Sequence, residues 1–338
     1  MGGIATLTER MINNLSSAEL VFNCVNVAHK VNKRSNKITK NKKMDQIRIL
    51  CHTIKSVFYQ CLRRQCDVIH INSSSGNGTI RDYYIEKIAN LFNVPVILHY
   101  HCNLEFAVNN SKIAKKYYTK CFELAKQIIV LNKSSQEFVR NNNFDARIIP
   151  NGIPEDLVAT KHCINDNIQK AIFTGRVSIN KGCLEIYECA KAYPQIDFYL
   201  AGLIDSVVEE KLKSLNNIFL LGSLSHEEVI ERLDNADIFL FPTHSEGFSI
   251  SLLEAMARGV PCVTTNVGAN REMLEDKGGI IVEPKNSKAI INAIECLLPR
   301  NTREEMSAWN INKVMGEYTE NKMFESFISV YKSVLNNA

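Results

Sequence analysis

Short apolar runs alternate with amphipathic stretches along most of this chain, and that alternation leaves few folds open. "ELVFNCVNV" (19–27), "DVIHIN" (67–72), "VPVILHY" (94–100), "QIIVLN" (127–132) and "ARIIP" (146–150) read as strands. Helical spacing fills the intervals, over 45–64, 79–92 and 111–125. Apolar strands separated by helices predict a parallel sheet covered on both faces. The turn cluster "PNGIPED" (150–156) interrupts the pattern once. It then restarts with "KAIFTG" (170–175), "IDFYLAG" (196–202), "NIFLLG" (217–222), "DIFLFP" (237–242), "PCVTT" (261–265) and "GIIVE" (279–283), and from about 287 onward reads as helix. The expectation is two doubly wound α/β domains, 1–152 and 153–315, with a final helical segment, 316–338, packing back towards the first. Ligands of such sheets sit beyond the carboxyl ends of the strands, so two of them facing a cleft would place the chemistry there.

A length of 338 residues with 45% apolar composition suits two soluble cores. The sequence has no run of 18 apolar residues and no signal-peptide core near Met1, so a cytoplasmic location is expected. Eleven scattered cysteines without a C-x-x-C pair read as core thiols, and no histidine cluster has zinc-ligand spacing, so no metal site is expected. The net charge of +4 hides an asymmetry: residues 1–150 hold 22 Lys and Arg against 10 Asp and Glu. Seven of those cations fall in "HKVNKRSNKITKNKK" (29–43), which has no acid. That run is either a solvated loop or a patch for anionic lipid headgroups. It carries no interleaved aromatic for base stacking, so no nucleic-acid partner is expected.

Two segments concentrate polar chemistry. In "FLFPTHSEGFSISLLEAMARGVPCVTT" (239–265) a strand ends at Pro242 and a helix is expected to begin near Gly247. Glu246 would then precede a helix N-terminus, where the amides of Gly247, Phe248 and Ser249 suit a phosphate. Glu254, eight residues on, interrupts an apolar stretch; a buried carboxylate there needs a partner, whether sugar hydroxyls or a basic side chain. In "FTGRVSINKGCLE" (173–185) a strand runs into Gly175 and Arg176, with Lys181 at the mouth of a helix. Two cations on one strand–loop–helix turn can converge on a diphosphate.

Taken together, these residues resemble a known family. The E-x7-E pattern "EGFSISLLE", with "GRVSINKG" before it, "PNGI" at the domain junction and "VPCVTTNVGANREML" after it, is similar to the retaining glycosyltransferases of family 4, which have the GT-B fold. The resemblance implies that Arg176 and Lys181 grip the donor diphosphate and that Glu246 meets the donor sugar. It further implies that Glu254 holds the ribose and that the amides of Gly247, Phe248 and Ser249, with Gly175, face the donor. His101 in "VPVILHYHC" matches the family histidine at a strand end, with His99 a second choice. His70 and Asn151 match positions that would line the cleft, although His70 reads equally well as a satisfied histidine at a strand end. One departure is "VGAN", where Ala269 replaces a usual second glycine; little effect is expected.

The opening "MGGIATLTERM" matches the family's glycine-rich turn and the helix after it, so Gly2 and Gly3 would face the donor phosphates, with Thr6 or Thr8 as cap. By that match the first strand of the sheet is expected to be absent and the chain as given to start late. The expected activity is retaining transfer from a UDP- or GDP-linked sugar. The expected acceptor is a lipid-linked glycan at the inner face of a bacterial membrane, in lipopolysaccharide, O-antigen or capsule synthesis. No metal cofactor is expected, because the sequence has no Asp-x-Asp to hold a metal–diphosphate. Rival readings are a transferase for a soluble acceptor and a non-catalytic binding subunit.

Overall fold

The computed structural model describes residues 3–16, 20–25, 27, 42–73, 76, 78–109 and 112–336. Its chain divides into two compact units. The first comprises Met1–Val130, Ser135–Ile149 and Phe324–Ala338, and the second Leu131–Ser134 and Pro150–Met323. The division thus falls between Ile149 and Pro150, with a short excursion at Leu131–Ser134.

The first unit begins with helices α1 (Gly3–Leu15) and α2 (Lys42–Leu62). Then come β1 (Ile69–Ser73), α3 (Gly78–Leu91), β2 (Val96–Tyr100), α4 (Leu104–Asn109), α5 (Lys112–Leu124), β3 (Gln127–Val130), α6 (Lys133–Asn141) and β4 (Arg147–Ile148). Among the described residues its four parallel strands lie in chain order, β1-β2-β3-β4. Strand β2 is buried along its whole length, as the unbroken apolar run predicts for a strand covered on both faces. Two expectations fail here. Residues 20–25 and 27 form no strand, and Val21 is 88% exposed; an extended run becomes a strand only when a neighbour supplies ladder bonds, and no described strand pairs with it. Helix α1 starts at Gly3, so Thr6 and Thr8 lie inside it rather than capping it. Gly2 and most of the basic run lie outside the described residues.

The second unit contains β5 (Lys170–Thr174), α7 (Cys183–Ala192), β6 (Asp197–Ala201), α8 (Ser206–Lys213) and β7 (Ile218–Gly222). It continues through α9 (His226–Asp234), β8 (Ile238–Phe241), α10 (Ile250–Ala257), β9 (Cys262–Thr265), α11 (Asn270–Leu274) and β10 (Gly279–Val282). Helices α12 (Ser287–Cys296), α13 (Arg300–Glu317) and α14 (Glu320–Asn336) follow, and the part of α14 from Phe324 belongs to the first unit. Local signals explain several boundaries. Ser225 and Glu228 form a reciprocal capping box at α9, and Asn286 caps α12. The sheet order is β10-β9-β8-β5-β6-β7, all parallel. The chain winds outward from β5 to β7, then returns to the far side of β5 and winds outward again from β8. This doubly wound order has its reversal between β5 and β8. The four β8 side chains are all buried, and Phe241 stacks on Phe173 and Phe239 with ring centroids 5.8 and 5.7 Å away. No helix among the described residues is long and apolar enough to cross a membrane.

Polar groups also enter the first core. On α3, Asp82 and Glu86 are one turn apart, so they share a face, and both are fully buried. Asp82 accepts from Ser73 Oγ at 2.6 Å and pairs with Arg81. Burial pushes the Glu86 carboxyl from 4.5 up to about 8. Between those two values the unfolded chain holds fewer protons than the folded one, so this group's contribution to stability falls as pH rises. Glu86→Gln removes that titration. Its gain in melting temperature over the parent should therefore be larger at pH 8 than at pH 4.5, as read by circular dichroism. An equal gain at both pH values would contradict the assignment.

Candidate active site

The reversal between β5 and β8 decides where a ligand of the second unit can bind. Connections leaving two such adjacent strands run to opposite faces of the sheet and open a crevice at their carboxyl ends. Arg176 and Lys181 lie on the connection after β5, and Glu246 lies on the connection after β8. The backbone ties these loops together. His244 N–H donates to the Asn180 carbonyl at 2.9 Å. Gly182 has φ +78°, and a Cβ there would lie 2.1 Å from the Pro242 carbonyl oxygen. Gly175, just past the end of β5, donates its N–H to Ala201 O at 2.9 Å.

Each cation at this edge has a carboxylate partner. Arg176 donates from Nε and Nη2 to the same Asp205 oxygen, at 2.9 and 2.7 Å. Asp205 stands at the N-cap position of α8 but makes no side-chain cap bond, its carboxylate having turned to the guanidinium instead. The Lys181 ammonium pairs with Glu246 Oε1, and Thr243 Oγ1 lies 3.3 Å from that oxygen. Lys181 Nζ also lies 5.6 Å from the centre of the Phe241 ring.

Helix α10 begins at Ile250, with Ser249 as its N-cap, three residues later than expected. Gly247 and Phe248 are thus loop residues, and Glu254 lies about one turn into the helix rather than two. Their amides are nonetheless aimed. A Cβ on Gly268, whose φ is +53°, would lie 2.4 Å from the Glu246 carbonyl and 2.7 Å from the Gly247 carbonyl. The Gly247 carbonyl accepts from Asn132 Nδ2 at 2.8 Å and Ala269 N–H at 3.1 Å. In a trans peptide the N–H points opposite to the C=O, so the amides of Gly247 and Phe248 face away from the β9 loop. The Phe248 side chain is buried and meets Tyr318 edge-on at 5.8 Å, leaving only its main chain for a ligand. Ser249 Oγ donates to the buried Asn270 at 2.7 Å. The geometry also explains "VGAN". Gly268 is the residue that must lack a side chain, whereas Ala269 has φ −84°, which any residue adopts.

Glu254 is half-buried, and His226 Nδ1, on the first residue of α9, lies 3.5 Å from its Oε1. A second pair, His244 Nε2 with Glu185 Oε1 at 3.0 Å, anchors the β8 loop to α7.

The histidines singled out above form a separate group in the first unit. His99 is fully buried, with neither ring nitrogen hydrogen-bonded, and its ring lies 3.9 Å from that of His101 and 5.5 Å from that of His70. His70 Nδ1 meets the Tyr331 hydroxyl at 2.6 Å and its Nε2 is enclosed. His99 is therefore a core side chain, whereas His70 is half-buried and satisfied at Nδ1, the strand-end reading. His101, just past the end of β2, has Nε2 at 2.8 Å from Asn72 Oδ1, and Asn72 Nδ2 donates to Thr8 Oγ1. That chain of donors places the His101 hydrogen on Nε2 and leaves Nδ1 as an acceptor. Burial holds His101 down at about 4 and His70 at about 3, so both are neutral near pH 7. Asn151 is buried beside Gly152, whose N–H meets Met323 Sδ at 3.3 Å. Gly3 is the first residue of α1.

Sequence reasoning missed Asp205, His226, Asn132 and the His244–Glu185 pair. Asp205 carried a signal, an acid at the start of a predicted helix, but that signal reads as a cap. The others depend on tertiary contacts that spacing does not encode.

Residues 1–157 match Glycosyltransferase Family 4 and residues 156–320 match Glycosyl transferases group 1. Between them the matches run over residues 1–320, and the chain belongs to the glycosyltransferases of the GT-B fold. It is 26% identical over 255 residues to the N,N'-diacetylbacillosaminyl-diphospho-undecaprenol alpha-1,3-N-acetylgalactosaminyltransferase of Campylobacter jejuni, covering 67% of this chain and 65% of that protein. It is 27% identical over 268 residues to a capsular polysaccharide biosynthesis glycosyltransferase of Staphylococcus aureus, covering 76% and 66%. The chain thus spans about two thirds of the length of these relatives. Anabaena HepE, solved in complex with UDP-glucose, shares the fold with a TM-score of 0.69 over 88% of this chain and 85% of that one, at 17% identity.

The contact between the loops after β5 and β8 makes a clear prediction. Gly182→Ala must both strain a left-handed backbone and push Pro242 away, which should destabilise the protein by about 2 kcal/mol or more. Thermal melting would show a drop of several degrees; an unchanged melting temperature would refute the close approach.

Proposed function

We propose that this chain is a retaining glycosyltransferase that moves a sugar from a nucleotide-sugar to a lipid-linked glycan acceptor during bacterial cell-surface polysaccharide synthesis. The observation that carries the reading is the convergence of Arg176, Lys181 and the outward amides of Gly247 and Phe248 at one sheet edge. Such a set suits a departing diphosphate, which gains negative charge as the glycosidic bond breaks. Glu246 accepts from the donor sugar's hydroxyls, and Glu254, oriented by His226, accepts from the ribose. Phosphate neutralisation by side chains and amides assigns no step to a metal. In this reading the acceptor oxygen bonds to the anomeric carbon on the face from which the diphosphate leaves, and its proton passes to the departing phosphate oxygen.

The lipid-linked acceptor is supported by the Campylobacter relative, whose name specifies a diphospho-undecaprenol substrate. UDP is the first base to test, because HepE was solved with UDP-glucose. Peripheral attachment to the inner membrane face is supported by the basic first half of the chain. It is supported further by α2, where exposed Phe58, Tyr59 and Leu62 stand with Lys55 and Arg63, both about 5.9 Å from the Tyr59 ring centre. Aromatics beside cations suit a bilayer interface.

A thermal-shift panel of UDP- and GDP-sugars should single out a donor by a raised melting temperature. With that donor, Arg176→Ala and Lys181→Ala should each lower kcat/KM by about 100-fold or more without loss of folding, and EDTA should leave turnover unchanged. Turnover that survives both substitutions would overturn the catalytic assignment. Sedimentation with anionic vesicles should be strong at low salt and weak at high salt; a fraction that never sediments would refute the membrane reading.

A further inference from the structure

The Lys181–Glu246 ion pair sets two roles of the proposed site against each other. Lys181 is to hold the donor diphosphate and Glu246 the donor sugar, yet here each holds the other. The Glu246 side chain is only 15% exposed and Lys181 only 29%. A carboxylate so far removed from water cannot give up its cation cheaply unless other donors replace it. Thr243 Oγ1, at 3.3 Å, is one such donor and is not enough alone. The Arg176–Asp205 pair differs, because the Arg176 side chain is 59% exposed and water can take up either partner when it opens.

We propose that Glu246 competes with the nucleoside diphosphate for Lys181, and that this competition makes the site prefer intact donor over spent nucleotide. The inference rests on the donor-site reading given above. An intact donor brings phosphates for Lys181 and sugar hydroxyls for Glu246, so both members of the pair exchange one partner for another. A nucleoside diphosphate brings only the phosphates. It must either leave Lys181 paired to Glu246 or strip Glu246 of its cation with nothing in return. Once the sugar has moved to the acceptor, Glu246 loses its hydroxyl partners, reclaims Lys181 and loosens the remaining nucleotide. Glu246 thereby acts as a specificity residue for the state of the donor as well as a contact for its sugar.

Isothermal titration of UDP and GDP into the full chain tests this through a double-substitution cycle. The nucleotide that binds the parent protein serves as the probe. Glu246→Gln keeps the size of the side chain and removes its claim on Lys181, so it should tighten nucleotide binding about fivefold. Glu246→Ala, a second variant with the same logic, should tighten it similarly. In a Lys181→Met background the effect of Glu246→Gln should vanish, because the ion being competed for is gone. Equal tightening in both backgrounds would mean that Glu246 acts only through its field, and would overturn the proposal. Unchanged or weaker binding in the folded Glu246→Gln and Glu246→Ala variants would overturn it too. If neither nucleotide binds the parent protein, the donor-site reading fails, and this inference falls with it.

Discussion

Everything at the second unit's carboxyl edge depends on how closely three loops approach one another as bare backbone. Gly182 lies against the Pro242 carbonyl, and Gly268 lies against the carbonyls of Glu246 and Gly247. These contacts fix the loops after β5, β8 and β9 to within a methyl group of each other. Because the Glu246 and Gly247 carbonyls are committed towards Gly268, the following amides are committed the other way. The direction of those dipoles is therefore a packing result, set before any ligand arrives. Preorganisation of this kind spares the site from reorganising when charge develops on a leaving group.

Electrostatics at the same edge are balanced rather than simply positive. Arg176 and Lys181 each have a carboxylate within reach, and Glu254 has His226. A cluster of unpaired cations would repel itself and strain the fold; pairing each one locally avoids that. The balance also makes binding an exchange of partners, and the worth of an exchange depends on burial. That is why the two pairs have different consequences, although both involve a cation and a carboxylate. The first unit resolves its polar groups differently. His99 is excluded from water, His70 has its Nε2 enclosed and both stay neutral, while His101 keeps one nitrogen on Asn72.

Much of this was legible in the sequence because the strands of a doubly wound sheet are continuous apolar runs. "KAIFTG" and "DIFLFP" announced β5 and β8, and the polar residues just beyond them announced the site. Two kinds of feature escaped. Strand pairing is a non-local property, so "ELVFNCVNV" has the composition of a strand but acquires none of the ladder bonds among the described residues. Partners brought by tertiary contact were equally invisible. Nothing in the spacing of Asp205, His226 or Asn132 ties them to Arg176, Glu254 or Gly247. Helix α10 starts later than expected: Ser249, a residue type preferred at N-caps, stands at that position but uses its hydroxyl on Asn270 instead of the helix.

The central claim is that a nucleoside diphosphate sits beyond β5 and β8 with its phosphates on Arg176 and Lys181. A crystal structure of the chain grown with UDP, or with GDP if that nucleotide binds better, tests it directly. Phosphate oxygens should lie within hydrogen-bonding distance of the Arg176 and Lys181 side chains and of the Gly247 and Phe248 amides, with Lys181 shared between a phosphate and Glu246. A nucleotide bound elsewhere on the protein, with both ion pairs intact, would contradict it.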